Sequence, residues 1–80
     1  MKLEVRLFSG LICKNEGLPC FGQSEFFLDA QDGITLAGLH ALLGLEGLQL
    51  VNAVNGVIEK KDHPLADQDR VGIFPPSAGG

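Results

Sequence analysis

A strand, strand, helix, strand, strand, strand order predicts an α+β domain whose mixed sheet of about five strands carries one main helix on a single face. Three observations give that order. KLEVRLF at residues 2–8 alternates apolar and charged side chains, leucines recur at helical spacing after Thr35, and Asn55-Gly56 separates two short apolar runs. In the first strand Leu3, Val5 and Leu7 share one face and Lys2, Glu4 and Arg6 the other. Gly10, Gly17, Pro19 and Gly22 mark residues 9–23 as a long hairpin loop, and Phe26, Leu28 and Ala30 set the inward face of a second strand at Glu25 to Ala30. Asp32-Gly33 turns the chain. Thr35 is the expected helix N-cap, Leu36, Leu39 and Leu43 the buried stripe, and Gly44 and Gly47 the stop. The leucines at 42, 45, 48 and 50 widen the apolar surface and read as core. Leu50 to Val54 and Val57 to Glu59 form a hairpin through a type I′ turn, with Val57 facing inward, and Arg70 to Phe74 supplies the fifth strand.

One hydrophobic layer must gather every inward face, so the first and last strands are expected to pair at the centre of the sheet, which is the β-grasp, or ubiquitin-like, arrangement. Eighty residues leave room for one such domain, at 1–74, followed by a flexible tail at 75–80 that ends in Gly79-Gly80. Ten Asp and Glu against six Lys and Arg argue against a nucleic-acid groove or an anionic membrane surface. No apolar run reaches the ~20 residues of a bilayer span, and the amino terminus lacks a signal-peptide core, so the expected location is cytoplasmic and the expected partner a protein.

Alternation also exposes misfits. Phe8 has the parity of Glu4 and Arg6, Ile58 is the neighbour of inward Val57, and Phe74 has the parity of Gly72. On a sheet with one helix these three side chains fall on the uncovered face, where an apolar group is a docking patch unless the loop at 9–23 folds over it. Phe74 leads into Pro75-Pro76, whose missing donors and fixed φ favour an extended exit, and the last residues offer no apolar bulk to anchor the end. Glycine passes through a narrow tunnel and lets a partner's reactive groups reach the terminal carboxylate.

The segment VNGVIEKKDHPLADQDRVGIFPPSAGG resembles the ubiquitin-like sulfur carriers of the MoaD/ThiS family, and within it those that serve molybdopterin synthesis: the third hairpin, the Asp-His-Pro-Leu turn, the Asp-x-Asp-x-Val lead into the last strand and the Phe-Pro-Pro-x-x-Gly-Gly ending all correspond. The loop SGLICKNEGLPCFGQ departs from the pattern, for relatives often carry a helix-like Leu-Arg-Glu-Leu segment there. The resemblance implies that the Gly80 carboxylate, with Gly79 before it, carries the chemistry. A ubiquitin-activating-type adenylyltransferase and sulfurtransferase would convert it with ATP and Mg to an acyl-adenylate and then a thiocarboxylate. Sulfur would pass to a precursor on the large subunit of a molybdopterin synthase. Phe8, Ile58, Phe74, Pro75 and Pro76 would meet these partners. Nucleotide and metal would belong to the activating enzyme, with no cofactor held stably by the carrier and no stand-alone active site. A carrier for thiamine thiazole or another sulfur pathway, and a ubiquitin-like modifier joined to lysines, use the same terminus and stay open.

Cys13 and Cys20 are too few for an iron–sulfur cluster or a structural zinc site. They read as reduced loop thiols, with a disulfide under oxidation as the alternative, and their joint replacement by Ser is expected to leave the fold nearly intact. Asp62, His63, Asp67 and Asp69 read as a solvated turn leading into the last strand rather than as metal ligands.

Overall fold

The computed structural model describes residues 1–76, and its elements follow the expected order: β1 (Lys2–Leu7), β2 (Glu25–Asp29), α1 (Leu36–Leu42), β3 (Val51–Val54), β4 (Val57–Glu59) and β5 (Arg70–Phe74). The five strands form one sheet in the order β2-β1-β5-β3-β4, with β1 and β5 parallel at its centre and every other neighbouring pair antiparallel. Three boundaries move by one residue: Phe8, Ala30 and Leu50 lie just outside their strands. The flexible tail expected at 75–80 is described only for Pro75 and Pro76, and the rest of it, Gly79-Gly80 included, lies outside the described residues.

Thr35 caps α1 from an extended backbone, its Oγ1 accepting the Gly38 N–H at 3.2 Å. Leu36, Leu39 and Leu43 are fully buried against Leu3, Val5, Val71 and Ile73 of the two central strands. Gly44 takes φ +76, so the chain leaves the helix through the left-handed region, and its bare Cα accommodates Lys14, whose Cβ would lie 3.0 Å from a Cβ there. Asn55 and Gly56 both have positive φ, as the type I′ turn requires.

Three expectations need correction. Leu48 is exposed rather than part of the core. Val57 does lie opposite inward Val54, yet it is 57% exposed, because β4 is a three-residue edge strand that the seven-residue helix does not cover. Cys13 and Cys20 are free thiols of the β1–β2 loop, as expected, but both are buried, which corrects the expectation that Ser can replace them at little cost. The β1–β2 loop folds onto the end of α1, where Lys14 N–H donates to Leu43 O at 2.8 Å and Asn15 Nδ2 to Leu42 O at 2.8 Å. That seating buries both cysteines in the core cluster, so their replacement by Ser would place two hydroxyls in an apolar site.

Candidate functional site: the uncovered sheet face and its exit

The cross-strand register sets Glu25, Arg6, Gly72, Ala53 and Ile58 in one row across the face opposite α1. The charged part of that face belongs to β1 and β2, where Arg6 Nε lies 3.3 Å from Glu25 Oε1 and 3.8 Å from Glu4 Oε2. Toward β5 and β3 the same face turns apolar. Phe8 continues β1 just past its last strand residue, its N–H donating to Ile73 O at 3.0 Å, which holds the residue beside β5. Its ring meets Phe74 edge to face at 6.2 Å between centroids, a favoured aromatic geometry. Gly72 makes the arrangement possible: a Cβ at that position would stand 3.3 Å from Phe8 Cε2. The two rings, with Ala53, Gly72 and the stems of Glu4 and Arg70, border an open depression of about 290 Å³.

Phe8 is 45% exposed, so the β1–β2 loop, drawn away toward α1, leaves the patch uncovered. Ile58 is 62% exposed and shares the face, but it sits on the edge strand opposite Ala53, apart from the ring pair. Phe74 is half-buried, as is Pro75, while Pro76 is exposed. Gly79 and Gly80 lie outside the described residues. Phe27 joins this face unannounced: it lies opposite Glu4 on β2, is 65% exposed and carries Lys2 Nζ 4.9 Å from its ring centroid. Its parity with Glu25 and Asp29, against inward Phe26 and Leu28, is the signal that would have found it.

The acidic turn braces the strand that carries Phe74. Asp69 accepts from Asn55 Nδ2 at 2.8 Å and from the Ala66 N–H at 2.8 Å, and Asn55 Oδ1 accepts the Arg70 N–H at 2.9 Å. Asp67 Oδ1 accepts the Lys2 N–H at 2.7 Å, and this bond, with a further one from Gln68, holds its carboxyl below the ordinary value of 3.8. His63 Nδ1 lies 3.6 Å from Glu59 Oε1. These carboxylates are therefore engaged with the hairpin and the start of β1. Among the described residues no group of three or more His, Cys, Asp or Glu gathers as metal ligands, and no helix is long and apolar enough to cross a membrane.

Residues 18–80 match the ThiS family. Over 38 residues the chain is 50% identical to the molybdopterin synthase sulfur carrier subunit of Escherichia coli (strain K12), a match that spans 48% of this chain and 47% of that protein, about half of the relative's length. Its fold is similar to that in the protein–protein complex of subunits 1 and 2 of the molybdopterin-converting factor from Helicobacter pylori 26695, with 29% identity, all of both chains covered and a TM-score of 0.61. It is also similar to SAMP1 of Haloferax volcanii, at 20% identity over all of both chains with a TM-score of 0.69, a likeness of fold alone.

Proposed function

The chain belongs to the ThiS family, and on that premise we propose that it is a sulfur carrier for molybdopterin synthesis, with the Gly80 carboxylate as the group that accepts and delivers sulfur. A carboxylate is a poor electrophile. An adenylyltransferase partner, using MgATP, replaces one carboxylate oxygen's negative charge with an adenylate leaving group and releases pyrophosphate. Hydrosulfide then attacks the acyl carbon, forming the C–S bond as the bond to AMP breaks and AMP departs, and loss of the remaining S–H proton leaves the thiocarboxylate. Nucleotide and metal reside in the partner, and this chain contributes the docking face and a terminus narrow enough to enter an active site.

The observation that carries the reading is the position of the Phe8–Phe74 pair: an exposed ring against a half-buried one on the uncovered face, at the point where β5 passes into Pro75-Pro76. A partner seated on those rings has the outgoing chain beside it. At about 3.1–3.6 Å per residue, the six residues after Phe74 span roughly 20 Å, enough to enter a second protein. The Helicobacter pylori complex of subunits 1 and 2 supports a synthase large subunit as the recipient, and Phe27 and Ile58 extend the face such a partner would cover.

The test is intact mass of the protein after incubation with its activating enzyme, MgATP and sulfide. The proposal expects an ATP-dependent gain equal to exchange of one oxygen for sulfur, and transfer of that sulfur on adding the large subunit with its precursor. A lysine isopeptide adduct in place of the thiocarboxylate would make the protein a modifier. Thiocarboxylate that passes only to a thiazole-forming system would place it in thiamine synthesis.

A further inference from the structure

The β1–β2 loop is closed on itself by backbone bonds: Cys13 N–H donates to Gln23 O at 3.0 Å, Gly22 N–H to Cys13 O at 2.8 Å, and Gln23 N–H to Cys20 O at 2.9 Å. Between these residues the tip turns at Asn15, whose Oδ1 accepts the Gly17 N–H at 2.9 Å, and its two bonds to the helix end fix it in place. Within that frame the two thiols touch, Cys20 Sγ lying 3.2 Å from Cys13 Sγ. Nothing in the sulfur-carrier chemistry uses them.

We propose that Cys13 and Cys20 form a redox modification site, in which a hydroperoxide converts the contacting thiols to an intramolecular disulfide that locks the β1–β2 loop over the end of α1. Cys20, 4% exposed, is the thiol oxidised first, and fully buried Cys13 resolves it. In the first step the Cys20 sulfur attacks a peroxide oxygen. An S–O bond forms, the O–O bond breaks, and the departing hydroxide takes the thiol proton as water (or as an alcohol from an organic peroxide). In the second the Cys13 sulfur attacks the sulfenic sulfur. The S–S bond forms, the S–O bond breaks, and the leaving hydroxide carries off the Cys13 proton as water. The two sulfurs together lose two electrons and the peroxide gains two. A low-molecular-weight thiol reverses the change by exchange. Burial and the Cys13 contact push the Cys20 thiol up to about 11, so the reaction is slow near neutral pH and is followed under mildly alkaline conditions.

The experiment treats the full-length, native protein with hydrogen peroxide, quenches it and alkylates it under denaturing conditions. The expected product has lost the mass of two hydrogen atoms, resists alkylation, and yields on tryptic digestion a linked pair of peptides, because Lys14 lies between the cysteines. Its melting temperature should rise by roughly 10 °C over the reduced protein, since an eight-residue loop is closed without displacing the helix end. Alkylatable thiols after treatment, sulfinic acids without a link, or a dimer that disappears on reduction would each overturn the proposal. A melting temperature unchanged or lowered in the linked protein would contradict a loop already arranged for the bond. None of these readings depends on a cysteine variant folding.

Discussion

Truncation of Phe8 to Ala separates a docking ring from a core ring, because the two roles predict opposite orderings of two measurable losses. A ring that is 45% exposed forfeits about half of the roughly 1.5–3 kcal/mol that full burial contributes. Its edge-to-face contact with Phe74 adds roughly 0.5–1.5 kcal/mol. The expected loss of folding stability is therefore about 2 kcal/mol, below the roughly 3–5 kcal/mol typical of a truncated core Phe. An interface anchor at the centre of a docking patch costs a complex about 2 kcal/mol or more, a drop in affinity of roughly thirtyfold. Phe74→Ala should behave alike, and because the rings touch, the double variant should lose less than the sum of the two. Urea midpoints and titration against the activating enzyme give both quantities for each variant. A stability loss at the core value with affinity unchanged would refute the docking assignment.

The remaining expectations concern the scaffold around that face. Gly72→Val should displace the Phe8 ring, whose Cε2 would lie 3.3 Å from the new Cβ; stability should change by less than about 1 kcal/mol, since a β-branched residue suits a strand, while affinity for the activating enzyme falls. Asn52→Ala should lower stability by about 1–3 kcal/mol, because it strands buried His40, whose Nε2 donates to Asn52 Oδ1 at 2.6 Å, and a second change, His40→Leu, should restore part of the loss in the same denaturation assay. The lowered pKa of Asp67 stabilises the fold above its ordinary value of 3.8, and this contribution disappears as pH falls through the lower value of the folded state. In Asp67→Asn the amide oxygen can still accept the Lys2 N–H without titrating, so urea midpoints of variant and wild type should converge as pH falls below 3.8. A gap that stays constant through the acid range would show that the ionised carboxylate contributes nothing.

Strand order and helix were legible because each rests on a local period: two in KLEVRLF, three to four in the leucines after Thr35, and positive φ demanded by Asn55-Gly56. The same period found Phe8, Ile58 and Phe74, since parity alone sorts a strand's faces. What parity cannot give is coverage. Val57 has an inward position and remains exposed because the helix ends before the edge strand, and Cys13 and Cys20 are buried because a long loop, patternless in sequence, seats its tip on the carbonyls of Leu42 and Leu43. The contact between Cys13 and Cys20, like the bond between His40 and Asn52, joins segments with no shared period and becomes visible only once the chain is packed. Phe27 is legible by the same parity test, since it shares its face with Glu25 and Asp29 and not with Phe26.

The central claim is that sulfur is carried at the Gly80 carboxylate, and deletion of Gly80 tests it most directly. The deletion moves the carboxylate back to Gly79, about 3.5 Å short of its reactive position, while reactions that depend on placement lose about a hundredfold from a shift near 1 Å. The core and the Phe8–Phe74 face are untouched, so the variant should fold and bind the activating enzyme as the wild type does. In a time course of intact mass with activating enzyme, MgATP and sulfide, the wild type should gain one sulfur for oxygen and the deletion variant should gain it at least a hundredfold more slowly. Thiocarboxylate formation at the wild-type rate on the shortened chain would contradict the claim that the Gly80 carboxylate is the acceptor.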